Sequence, residues 1–340
     1  MDLTVLKKLR SKKLITSSVI IFFISIIYSL LHGSGIYGYG TDYHWGYSNG
    51  FEFFRPSASA SVLDYMGFWI STIIINEIHI GVYIVTFIVT LSTGLFIRDQ
   101  IKFKQSYSLI FFLLLFLIII HTWPIVMSTS NAMRQAMSMS FIFLVFTCSF
   151  HKNYFYIILF SFLAIFMHKS GIFFITIFVI AFTLNKLLKN FSNKNKVIIN
   201  LLIGISSLLT LNYLFNNFIN QQPSRVIAGD FRLAFIIMAI SYIIIPFYFK
   251  NFLTNSFNLS LYYFSFLSLP VVMNGLNWEY ERLGMMMLIP YIFSFGSLLN
   301  TRSYKFYLFS SFILLLILTI HKGIYGYGLL NTTEFFFKRF

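Results

Sequence analysis

Residues 7–31 read KKLRSKKLITSSVIIFFISIIYSLL: five positive charges within seven positions, then eighteen residues, 14–31, without a charge. A helix rises about 1.5 Å per residue, so an uncharged run of this length reaches across the hydrocarbon core of a bilayer, roughly 30 Å thick. The basic cluster in front of it holds the near end among headgroups and keeps that end in the cytoplasm. No small-x-small cleavage site follows at His32-Gly33-Ser34, so the segment reads as an uncleaved signal anchor. Working outward, further apolar runs fall near 78–97, 106–123, 132–150, 154–167, 170–187, 197–216, 232–249, 259–275, 283–299 and 305–320. They are continuous and do not alternate every second residue, which points to helices and away from a barrel. The expected fold is all-α, a polytopic transmembrane bundle of about eleven spans forming one domain over residues 1–340, with the amino terminus inside and the carboxyl terminus outside.

Composition excludes the main rivals. The chain is 58% hydrophobic and only 10% charged, whereas soluble domains hold about a quarter charged residues. A net charge of +15 would suit a nucleic-acid binder, but the basic residues sit in short clusters between apolar runs, where they anchor helix ends. The expected surroundings are membrane lipids, not nucleic acid. Cys148 is the one cysteine and lies within an apolar run, so it reads as a small buried hydrophobe and supports neither a disulfide nor a cysteine metal site.

An inside start assigns 1–13, 98–105, 151–153, 188–196, 250–258 and 300–304 to the cytoplasm, and 16 of the 25 Lys and Arg residues fall with these segments when span-end residues are counted with the nearest loop. Acidic residues show the opposite bias: Asp2 and Asp99 fall inside, the other eight outside. Six histidines (His32, His44, His79, His121, His168 and His321) lie at or near the outer face, and His151 alone at the inner one. The polar chemistry therefore collects outside. The longest outer segment, 32–77, is rich in Gly, Tyr and Trp, which favours an ordered interfacial layer with a surface helix near 62–75.

Several outer residues are candidates for chemistry. Arg134 opens the fourth run, and Gln135, Ser138 and Ser140 keep its entry polar; a guanidinium there either anchors the helix or offers a planar fork to phosphate oxygens. His168-Lys169-Ser170-Gly171 makes a tight turn between two apolar runs, either a polar turn in the headgroup layer or the site of a histidine acid or base. Glu279, Glu281 and Arg282 cluster between the ninth and tenth runs; sequence neighbours on a helix point apart, which frees Arg282 for an anion. Arg225, Asp230 and Arg232 add charge before the eighth run. Asp42, beside Tyr43 and His44, is either a turn former or a general base, since desolvation near lipid favours the protonated carboxyl and brings it closer to working pH. Metal binding by Asp42 and His44 lacks a zinc-like spacing, so neither metal nor cofactor is expected. Arginines and histidines at an aromatic-rimmed face suit a lipid-linked anion.

Three segments carry a resemblance: Gly40-Thr41-Asp42-Tyr43 with Tyr47, Met133-Arg134-Gln135-Ala136, and Phe166-Met167-His168-Lys169-Ser170-Gly171, with Arg282 as a weaker fourth. In their order and spacing the chain resembles the EpsG-type, Wzy-like polymerases of bacterial exopolysaccharide, capsule and O-antigen assembly. The resemblance implies an enzyme of the cytoplasmic membrane that transfers one undecaprenyl-pyrophosphate-linked glycan onto another lipid-linked repeat unit. It leaves a glycosyltransferase-C-like arrangement open and suggests a flippase and a chain-length regulator as pathway partners. It also implies that Arg134 and Arg282 hold the pyrophosphate and that His168 orients or deprotonates the acceptor, with Asp42 as the competing base. Tyr43, His44, Tyr47, Gln135, Lys169, Arg225, Arg232, Glu279 and Glu281 complete the expected substrate surface. The late outer loops, 217–231 and 276–282, are short compared with many O-antigen polymerases, which shifts work to the first loop. Two other classes remain open: a flippase for lipid-linked oligosaccharide, which would favour inverted repeats, and a glycan O-acyltransferase, which would need an acyl donor.

Overall fold

A computed structural model describes residues 3–33, 78–101, 109–130, 133–168, 170–218, 232–249, 252–273, 287 and 289–291. These residues are 94% helical, with no strand. The expected span near 305–320, most of that near 283–299, and the outer segment with its surface helix near 62–75 lie outside them. The described helices form two compact units that divide between Ile172 and Phe173. The first unit holds α1 (Leu3–Gly33), α2 (Ile78–Ile101), α3 (Leu109–Ile120), α4 (Trp123–Ser130), α5 (Met133–Phe150) and α6 (Tyr154–Met167). The division falls three residues into α7 (Ser170–Leu187), and the second unit continues with α8 (Asn193–Phe218), α9 (Arg232–Tyr248) and α10 (Ser256–Met273).

Among the described residues, five stretches are long and apolar enough to cross a membrane: Ile15–His32, Gly81–Asp99, Met133–Phe150, Ser170–Asn190 and Asn193–Leu214. Their polarity is arranged as lipid would demand. On α1 the exposed side chains are apolar apart from Thr16, among them Ile15, Phe23, Ile27 and Leu30, whereas Ser17, Ser25 and Ser29 are buried. Water would reverse that pattern, while in lipid small hydroxyl residues gain by letting helices approach closely.

In the first unit α1 and α2 run antiparallel. Ser29 Oγ donates to the Tyr83 carbonyl at 2.5 Å near one end, and Arg98 Nη1 donates to Ser18 Oγ at 2.6 Å near the other. At that second end Asp99 accepts from Arg98 at 2.8 Å and pairs with His151 Nε2 at 2.8 Å, which ties α1 and α2 to the turn after α5. The inner-face grouping read from the sequence contains both Asp99 and His151.

The apolar run expected near 106–123 holds one helix, α3, and a second, α4, begins as that run ends. Pro124 lacks an N–H and its ring clashes with the carbonyl four residues back, which kinks or breaks a helix. α3 accordingly stops at Ile120, and α4 starts at Trp123 with Pro124 in its first turn, where proline is tolerated. The freed carbonyls are satisfied locally and from α1. His121 Nδ1 donates to the Leu117 carbonyl at 2.7 Å, Thr122 Oγ1 to the Ile119 carbonyl at 2.6 Å, and the Tyr28 hydroxyl to the Ile120 carbonyl at 2.7 Å. Tyr28 also stacks on His32 at 5.8 Å and meets His121 edge-on at 5.3 Å, while His32 Nε2 and Thr129 Oγ1 share a 2.7 Å hydrogen bond. Tyr28→Phe keeps the ring packing and strips the Ile120 carbonyl of that donor. Thermal unfolding in detergent should show a loss of about 1 kcal/mol; an unchanged midpoint would mean the break is held by α3 and α4 alone.

The second unit is closed by aromatic packing. Phe174 meets Phe264 at 4.8 Å, Tyr242 meets Tyr291 at 4.8 Å, and the Tyr291 hydroxyl bonds Ser265 Oγ at 2.6 Å. Asn200 on α8 accepts from the Tyr263 hydroxyl on α10, and a Cβ on Gly204 would fall 2.5 Å from the Phe266 ring, so α8 and α10 lie in close contact.

Candidate functional site

α5 is the most enclosed of the five long helices: 72% of its residues are buried, against 17% for the window in α8. A helix held this firmly can fix the groups at its end, and its first residues are Met133-Arg134-Gln135-Ala136. Arg134 is partly exposed, Gln135 is buried, and the first turn carries no acidic residue. The first amides of a helix lack intrahelical acceptors and carry the positive end of its dipole. A cation placed there is unfavourable by about 0.3–1 kcal/mol unless an anion joins it. Arg134 thus adds its charge to the positive end of α5.

α6 ends at Met167, where the backbone of His168 turns extended, and α7 begins at Ser170. The first turn of α7 also lacks an acidic residue, and Lys169 precedes it in the sequence. The Ser170 backbone N–H donates to His168 Nδ1 at 3.2 Å, and Ser170 Oγ lies 2.8 Å from the same nitrogen. An imidazole nitrogen that accepts from an amide N–H carries no proton itself. Neutral His168 therefore has its proton on Nε2, and its basic nitrogen is occupied in capping α7.

These two helix starts are locked together. Ser138, one turn beyond Arg134 and Gln135 on α5, is buried and donates through Oγ to the Ala164 carbonyl at 2.7 Å. The same carbonyl receives the His168 amide at 3.4 Å. Gly171 closes the arrangement, since a Cβ there would stand 2.2 Å from the Ala164 oxygen and 2.8 Å from Ser138 Oγ. The structure thus brings the Met133–Ala136 and His168–Gly171 segments to the same end of α5, α6 and α7. The Ser170 and Gly171 amides of α7 already donate to His168 Nδ1 and to the His168 carbonyl, so a phosphate-like anion there would be met by Arg134 and the positive end of α5.

Of the other expected residues, Asp42, Tyr43, His44, Tyr47, Lys169, Arg225, Glu279, Glu281 and Arg282 lie outside the described residues. Arg232 is the first residue of α9, and its side chain is not among those described. Ser138 and Ser140 do not make a polar entry: both are buried, Ser138 on the Ala164 carbonyl and Ser140 on that of Ala136 at 2.8 Å. Cys148 is a partly exposed free thiol on α5 rather than a buried one. Sequence reasoning overlooked Ser170 as the partner of His168; the His-x-Ser spacing just before a helix was the available signal. Among the described residues no group of three His, Cys, Asp or Glu side chains is placed to hold a metal ion. No family model matches the sequence, and no curated protein and no solved structure matches it.

Proposed function

We propose that the chain is a polysaccharide polymerase of the bacterial cytoplasmic membrane, transferring an undecaprenyl-pyrophosphate-linked glycan onto another lipid-linked repeat unit. One observation supports this reading above the rest: Arg134 and His168 head two helix N-termini that Ser138 and Gly171 lock together. With eleven spans and the amino terminus inside, both ends face outward, where the lipid-linked substrates are met. Arg134 holds the pyrophosphate by its planar fork, and the Nε2–H of neutral His168 donates to the oxygen that takes up charge. The acceptor hydroxyl oxygen bonds to the anomeric carbon as the bond from that carbon to pyrophosphate breaks. The electron pair leaves with the lipid pyrophosphate, and the hydroxyl proton passes to a base. With Nδ1 of His168 occupied by Ser170, the base of the pair read from the sequence is Asp42.

The test is the length distribution of lipid-linked glycan in deletion cells complemented with wild type, His168→Ala or His168→Gln. Loss of polymer with a single, externally accessible repeat unit left on its lipid supports the polymerase. Units trapped in the cytoplasm would instead mean a flippase, and intact polymer lacking a decoration an acyltransferase. A glutamine amide restores an N–H near the position of Nε2 but is no base. His168→Gln should therefore retain about tenfold more polymer-forming activity than His168→Ala; equal loss in both would return the role of base to His168.

A further inference from the structure

Gln135 sits beside Arg134 in the first turn of α5, is only 5% exposed, and its Oε1 has no hydrogen-bond partner among the described residues. A buried acceptor left without a donor is destabilising, so retaining one at a helix start where an apolar side chain would fit points to a donor that arrives with a ligand. The pyrophosphate is not that donor, because its oxygens only accept at neutral pH. Gln135 precedes Ser138 by three residues, so the two share the face of α5 that turns towards the end of α6. As its sequence neighbour on a helix, Gln135 points away from Arg134 but starts from a Cα only about 3.8 Å distant, so its amide lies to one side of a phosphate held by Arg134 and not on it.

We infer that Gln135 is a specificity residue that reads the sugar directly attached to the pyrophosphate, accepting a hydrogen bond from a hydroxyl or amide N–H on that ring. The inference rests on the polymerase reading above and adds the chemistry of the group recognised: a ring substituent that donates, placed next to the anomeric phosphate. Its role is to position the donor glycan, and the bond being broken is left to Arg134 and His168. A site built around such an acceptor rejects a ring that lacks the donor, since binding then leaves the amide unpaired.

The experiment uses the full-length protein in proteoliposomes, with lipid-linked repeat unit extracted from the deletion strain and analogues deoxygenated or N-methylated at single positions of the first ring. Wild type should prefer the natural donor to one of these analogues by about tenfold to a hundredfold in kcat/KM. Gln135→Met, which conserves volume and removes the acceptor, should bring that ratio to about one while its thermal midpoint stays at or above that of wild type. A merely structural role would lower turnover of both donors together and leave the ratio untouched; that result, or a wild type indifferent to every analogue, overturns the inference while leaving the polymerase standing. Absence of any turnover by wild type on the extracted donor overturns both.

Discussion

Arg134→Lys is expected to lose polymer formation nearly as completely as Arg134→Ala, by about a hundredfold or more at equal expression. Both variants keep the helix, and lysine keeps the charge, so a residue that merely anchors α5 among headgroups would tolerate lysine. The fork differs: two parallel N–H groups meet two phosphate oxygens, and a single ammonium cannot hold both while charge develops on the departing group. If the interaction strengthens as the bond breaks, the loss appears in kcat and in kcat/KM alike, with little change in KM. Single-turnover assays on extracted lipid-linked repeat unit separate the possibilities. Normal activity in the lysine variant would sink the phosphate-fork proposal.

Gly171→Ala should be the most damaging single-methyl change at the site. Its Cβ would meet the Ala164 carbonyl oxygen at 2.2 Å and the carbonyl carbon at 2.5 Å, and these are backbone atoms that no rotamer change can move. Ala164 cannot retreat cheaply, because its oxygen is held by Ser138 Oγ at 2.7 Å. Overpacking of this kind costs about 1–3 kcal/mol and sometimes more. The α6–α7 turn should open and carry His168 away from Arg134, and a displacement of about 1 Å can cost a hundredfold in rate. The expected result is a lower midpoint in detergent together with loss of polymer. A variant that unfolds like wild type and still polymerises would show that the close approach of α5, α6 and α7 does not position the site.

Much of this was open to reading from the residues. The bounds of α6 and the start of α7 follow from apolar runs delimited by Asn153 and by His168-Lys169. Arg134 and His168 drew attention because each interrupts or opens an apolar run at one face. The apolar run at 106–123 stops just before Pro124 and encloses α3, whereas the short helix α4 behind it was not among the expected runs; the proline itself carried the signal. The lock between α5, α6 and α7 was not legible. It depends on the rotation of α5 that turns Ser138 towards a carbonyl 26 residues away, and sequence patterning leaves that angle unspecified. The inner pair Asp99 and His151, 52 residues apart, was legible as two groups on one side and no further.

The bond from Tyr28 to the Ile120 carbonyl joins residues 92 positions apart, and it bears on how the chain is made. At about 5–20 residues per second, Tyr28 emerges several seconds before its acceptor. During that interval α1 must stay close to the point where later helices enter the bilayer, paired with α2 through Ser29 and Tyr83. A foreign anchor of equal length and charge would target and orient the chain, yet the broken helix behind Pro124 would arrive with a bare carbonyl and no hydroxyl to meet it. The first helix therefore does more than lead the chain: its hydroxyl completes a break in a helix made later, a contribution of about 1 kcal/mol.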